Sequence, residues 1–176
     1  MSEEKGRLTD PRIGDAYHEA GHAVASVWEG IKLMTVTITP ETVTIAPDKV
    51  VQTLGHCELP PLAVPGEAQI RSYIIASLAG QIAEERKMNK IGSPWNAIGL
   101  RGRHDDEQSV ILARQVTRSD REGAAYLRWL HVRCEDMIQQ PHIWRGIKAV
   151  AAALLKRQTL TGDEATAIIR LAFAGR

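Results

Sequence analysis

Between residues 15 and 28 small and apolar side chains recur at helical spacing, with Ala16, Ala20, Ala23, Val24 and Val27 on one face. Asp15 is placed to cap such a helix and Gly30 to stop it. The pattern then changes. Over residues 32–51, Val36 and Ile38, then Val43 and Ile45, alternate with polar residues, and Pro40 separates the two runs. That alternation predicts a pair of short strands, in the simplest arrangement a hairpin. Pro60, Pro61, Pro65 and Gly66 mark a loop. A long helix is predicted over 67–89, its buried stripe formed by Ile70, Tyr73, Ile74, Ser77, Leu78, Ile82 and Ala83. Residues 92–102 read as a turn-rich loop, followed by helices over 105–118, 121–139 and 142–156 and a short one from about 163. The pattern predicts an α+β fold, mainly α-helical, with a small β-sheet near the N-terminus. Residues 1–14 are expected to be a flexible arm and 15–176 one domain.

Composition narrows the possible functions without choosing among them. The chain has 22 Lys and Arg against 21 Asp and Glu, which gives no electrostatic case for nucleic acid as a partner. Cys57 and Cys134 stand far apart and in no CxxC pair, so a cysteine zinc site and a disulfide framework are both unsupported. No uncharged apolar run reaches the roughly 18 residues of a membrane span. The N-terminus lacks the apolar centre of a signal peptide, and a cytoplasmic protein without a membrane span is expected. The arginines at 118, 121, 128 and 133 read as a solvated helix face.

The chemistry is concentrated in Tyr17-His18-Glu19-Ala20-Gly21-His22, an H-E-x-x-H inside the first predicted helix. Four residues is close to one turn, so His18 and His22 share a face, about 6 Å apart. Two imidazoles at that separation can reach one Zn2+ ion. Glu19, beside the first ligand, is placed to act on a water there as general base rather than to bind metal. With only 6 His in 176 residues, this motif arises by chance in about 1.5% of such chains. Ala20 and Gly21, between the two histidines, let another helix or a substrate come close. A catalytic zinc needs a third protein ligand. Residues 23–28 (AVASVW) offer none, so it has to come from far along the chain.

His18-Glu19-Ala20-Gly21-His22-Ala23 resembles the zinc-site helix of the FtsH-type zinc metalloproteases, the AAA metallopeptidases. The resemblance continues through Val36-Thr37-Ile38-Thr39-Pro40, Leu54-Gly55 with Pro60, and Leu78-Ala79-Gly80-Gln81-Ile82-Ala83-Glu84-Glu85. In that last block Ala79 and Gln81 depart from the family's G-G-R-x-A-E-E. Leu154-Leu155 and Thr159-Leu160-Thr161-Gly162-Asp163-Glu164 close the series, which covers roughly residues 15–169 in order. The resemblance implies a zincin-like helical metallopeptidase domain.

It also implies a third ligand at the start of a later helix, where this chain has Asp105 and Asp106 together. Alignment on Leu112-Ala113 selects Asp105, and alignment on Gly102 selects Asp106. Asp105 is preferred because helices hold register better than loops. Glu84 would accept a hydrogen bond from a ligating histidine, with Glu85 on the surface. The implied partner is a polypeptide substrate. The strand over 35–39, if an edge strand, could add an extended peptide by main-chain hydrogen bonds.

The family's ATPase module has no counterpart here. No G-x-x-x-x-G-K-[ST] phosphate loop is present, and too few residues precede His18 to hold one. An ATP-independent zinc endopeptidase is therefore expected, acting on flexible segments or on substrates delivered by a separate ATPase or adaptor. The family assembles as hexamers, which leaves a homo-oligomer open. The alternative is a zinc-binding interaction protein that keeps the fold without proteolysis.

Overall fold

The computed structural model describes residues 12–46, 49–53, 55–88 and 104–175, with the side chains of 41–46, 49–53 and 104–106 left out. The expected arm up to residue 11 and the loop over 92–102 lie outside the described residues.

The first helix, α1 (Arg12–Trp28), starts three residues earlier than the spacing predicts. Asp15 is accordingly not its cap but lies in its first turn, where a carboxylate still suits the positive end of the helix dipole. Gly30, at φ 77°, ends it in the left-handed region that glycine enters without steric penalty. Ala16, Ala20, Ala23 and Val24 are wholly buried, and α1 packs between α2 (Glu67–Lys87) and α5 (Pro141–Arg157).

The strand arrangement differs from the predicted hairpin. Strand β1 (Thr35–Thr37) does not pair with β2 (Glu41–Ala46), which instead forms a two-stranded ribbon with β3 (Lys49–Thr53). β1 is the middle of an antiparallel three-stranded sheet, between β4 (His56–Glu58) and β5 (Thr159–Thr161). The sheet therefore joins the N-terminal half to the C-terminal end. Val36 and Leu160 face each other, both wholly buried, and the Thr37 and Thr159 hydroxyls meet at 2.7 Å. A pairing across more than 120 residues leaves no mark in local periodicity, whereas a ribbon between neighbouring runs does.

The remaining helices follow the predicted order. α3 (His104–Arg114) leads into α4 (Asp120–Gln139), whose cap Ser119 accepts from the Glu122 amide. α5 begins with Pro141, where the missing amide hydrogen costs nothing. α6 (Gly162–Phe173) opens with a capping box in which Thr161 and Glu164 satisfy each other's backbone amides. The Thr161 amide and hydroxyl, then Arg157, hold the Glu164 carboxyl below its ordinary range. Ile74, Leu130, Ile143, Ile147, Leu154, Leu160 and Ile169 form one continuous core from both halves of the chain. Cys134 lies within it, its thiol pushed up by burial. Among the described residues no helix is long and apolar enough to cross a membrane. Arg118, Arg121, Arg128 and Arg133 are all exposed.

At the α5–β5 junction Gln158 has φ 65°, a conformation costly for a residue with a Cβ. It is held there because its amide donates to Leu154 O at 2.7 Å and its carbonyl accepts from the Ile38 amide at 2.9 Å. Gln158→Gly should therefore stabilise the protein by about 1 kcal/mol, read as a higher urea midpoint at unchanged slope. Gln158→Val should lower that midpoint.

Candidate metal centre

The site is made by the antiparallel contact of α1 with α2. Helix α2 offers α1 a narrow face of small residues, and the fit is tight enough that side chains larger than glycine are excluded at two points. A Cβ on Gly21 would lie 2.4 Å from Ala79 O, and one on Gly80 would lie 2.3 Å from His22 Nε2. The expectation that the small residues between the histidines admit a neighbouring helix is met at Gly21, against which α2 packs.

Along this contact, Ala76, Gly80 and Glu84 follow one another at four-residue spacing on α2, and the two histidines of α1 lie against them. His22 Nδ1 is 2.7 Å from Ala76 O, and His18 Nδ1 is 3.2 Å from Glu84 Oε2. A peptide carbonyl only accepts, so His22 Nδ1 carries a hydrogen, and in the neutral ring the lone pair is on Nε2. The Glu84 carboxylate imposes the same tautomer on His18. The two rings stand edge to face with centroids 4.6 Å apart. His18, Glu19 and His22 are 9%, 6% and 7% exposed, so three ionisable groups sit inside the protein within five consecutive residues.

Burial of that kind is unfavourable unless the groups have partners. Two imidazoles oriented by acceptors on the same helix are two of the donors a metal such as Zn2+ needs; among the described residues no cluster of three His, Cys, Asp or Glu that could hold a metal ion is present. Glu19 lies on the sheet side of α1, where a Cβ on Gly55 would come within 3.2 Å of its Cγ and 2.6 Å of Thr37 O. Gly55 immediately precedes β4, so the carboxylate lies close to the end of the three-stranded sheet.

Glu84 is thus brought within hydrogen-bonding distance of His18. Arg86 and Lys87, its candidate surface partners, turn instead to the rings of Trp144 and Tyr17. Glu85 pairs with Gln81 at 2.8 Å on another side of α2. Asp105 and Asp106 occupy the first turn of α3, and α3 packs on α2. Both positions border the buried stripe of Ser109 and Ala113, one turn ahead, so helical phase does not separate them. Their side chains lie outside the described residues. The proposed edge strand over 35–39 is overturned, because β1 is hydrogen-bonded on both sides and has no open edge.

Two features of the site are absent from any motif reading. One is the Ala76 carbonyl, a backbone acceptor that no side-chain pattern records. The other is the exclusion of a Cβ at Gly80; the visible signal was a glycine in a helix interior, where it is normally unfavourable.

No protein-family model matches the chain. Among curated proteins, the ATP-dependent zinc metalloprotease FtsH 2 of Methylacidiphilum infernorum (isolate V4) is 27% identical over 203 aligned positions. The chain is distantly similar to FtsH 2. The alignment takes in 97% of this chain and 30% of that protein, so the chain spans less than a third of the relative's length.

In an unconstrained helix Gly→Ala adds up to about 1 kcal/mol of stability. Here Gly80→Ala should do the reverse, lowering stability by about 1–3 kcal/mol and pushing His22 off Ala76 O. Urea denaturation reads the first effect, and the shift of the His22 imidazole NMR resonances reads the second. A stabilised variant with an unmoved His22 would contradict the packing argument.

Proposed function

We propose that the chain is a zinc-dependent metallo-endopeptidase domain. The observation that carries this reading is the pair His18 and His22, one turn apart on a buried helix, each with its Nδ1 hydrogen directed to an oxygen on α2. The distant similarity to a zinc metalloprotease supports the same reading.

In this proposal His18, His22 and Asp105 hold the metal, with Asp106 as the alternative third ligand. A zinc ion bound there supplies Lewis acidity, which acidifies a water and polarises the scissile carbonyl. Glu19 takes the proton from the attacking water and returns it to the departing amine. Its burial at 6% exposure keeps bulk water from competing for that proton. Glu84 and Ala76 O hold the two rings in one orientation, so little reorganisation is needed as charge develops.

An extended peptide would not add to β1, which is hydrogen-bonded on both sides. These 176 residues contain no phosphate loop, so hydrolysis by them is ATP-independent. Flexible segments, or chains delivered by a separate ATPase or adaptor, fit such an enzyme as substrates.

Purified protein is expected to carry about one zinc per chain, measured by atomic emission. Glu19→Gln should keep the metal and lose casein hydrolysis by about 10²–10⁴-fold. Zinc-loaded wild type that leaves casein intact would favour the non-proteolytic zinc-binding protein. Wild type without zinc, or a His18→Ala/His22→Ala variant that retains it, would defeat both readings. Asp105→Ala is expected to lose zinc while Asp106→Ala keeps it; the opposite pattern would assign the third ligand to Asp106.

A further inference from the structure

Glu84 stands in the last turn of α2, and helix ends fray. A carboxylate that must hold one imidazole in one orientation is poorly placed there unless its turn is fastened from outside. Two cations that follow it do so. The Arg86 guanidinium lies 4.1 Å from the centroid of the Trp144 ring at the start of α5. Its Nη1 also donates to Ile138 O, in the last turn of α4, where carbonyls lack partners within the helix. The Lys87 ammonium lies 5.2 Å from the ring of Tyr17, which immediately precedes His18. Tyr17 in turn packs against Trp144, with centroids 5.7 Å apart. On the other side, a Cβ on Gly14 would lie 3.7 Å from Glu84 Oε1, so α1 passes directly beside the carboxylate.

We infer that Arg86 is a positioning residue for the His18–Glu84 pair: its stack on Trp144 and its hydrogen bond to Ile138 O hold the last turn of α2 where Glu84 reaches His18 Nδ1. The inference rests on the zinc-site reading above. It assigns to a surface arginine, with no contact to the histidines, an influence on metal affinity that runs through one carboxylate. A lysine would not replace it, because a compact ammonium lacks the planar face that stacks and the fork that donates at the same time.

The test is zinc affinity by competition with a chromophoric chelator, for wild type, Glu84→Gln, Arg86→Ala, Arg86→Lys and the Glu84→Gln/Arg86→Ala double variant. Glu84→Gln is expected to weaken zinc binding about 10–100-fold. Arg86→Ala should weaken it about fivefold, and Arg86→Lys should behave like Arg86→Ala. The double variant should bind zinc no more weakly than Glu84→Gln alone, because Arg86 acts only through Glu84. Urea midpoints, by contrast, should fall for Arg86→Ala in both backgrounds.

Wild-type affinity in Arg86→Ala, full affinity in Arg86→Lys, or losses that multiply in the double variant would each overturn the inference while leaving the zinc site intact. A wild type that takes up no zinc would overturn the functional reading, and this inference with it.

Discussion

Two imidazoles and a carboxylate can be kept inside a small domain only if each ring nitrogen facing protein has a partner in the right place. Here the partners come from one helix. The close approach of α1 and α2, made possible by Gly21 and Gly80, sets the ring of His22 under the Ala76 carbonyl and the ring of His18 against Glu84. The acceptors on α2 place a hydrogen on each Nδ1, which in the neutral rings leaves the lone pairs on Nε2. The orientation proposed for both histidines follows from that contact. A methyl group at either glycine would need the helices to separate or His22 to move.

The three-stranded sheet does a different job. It ties the chain segment after α1 to the segment after α5, so that the helix carrying the histidines is held by both halves of the molecule. Val36 and Leu160 complete the core across this join, and Gln158 is kept at positive φ by the hydrogen bond its carbonyl accepts from Ile38. The same arrangement buries both edges of β1 and leaves β4 as the strand beside Glu19. Local strand character makes β1 a candidate edge for an extended peptide, and its pairing on both sides removes it.

The local part of the site was legible in the sequence. His18, Glu19 and His22 lie within one helical turn of each other, and helical geometry alone places two imidazoles on one side. The same holds for the helices over residues 67–87 and 120–139, because the spacing of their apolar residues lies within the segments themselves. Glu84 was reached only through the resemblance of its block to a known pattern, since 66 residues separate it from His18. Asp105 and Asp106 illustrate the limit of the same method. Adjacent identical residues at a helix start satisfy an alignment equally well in either register.

The sequence by itself determined the order and type of the main elements, the helical position of the two histidines and the residue types available to hold a metal, because these depend on spacings of three or four residues. Tertiary structure alone decided that β1 is interior, that a backbone carbonyl orients His22, and that Arg86 and Lys87 turn from Glu84 to two aromatic rings. Each of those facts is a contact between segments distant along the chain. Such contacts are chosen by competition among many possible partners for the same surface, and local periodicity carries no record of which partner wins.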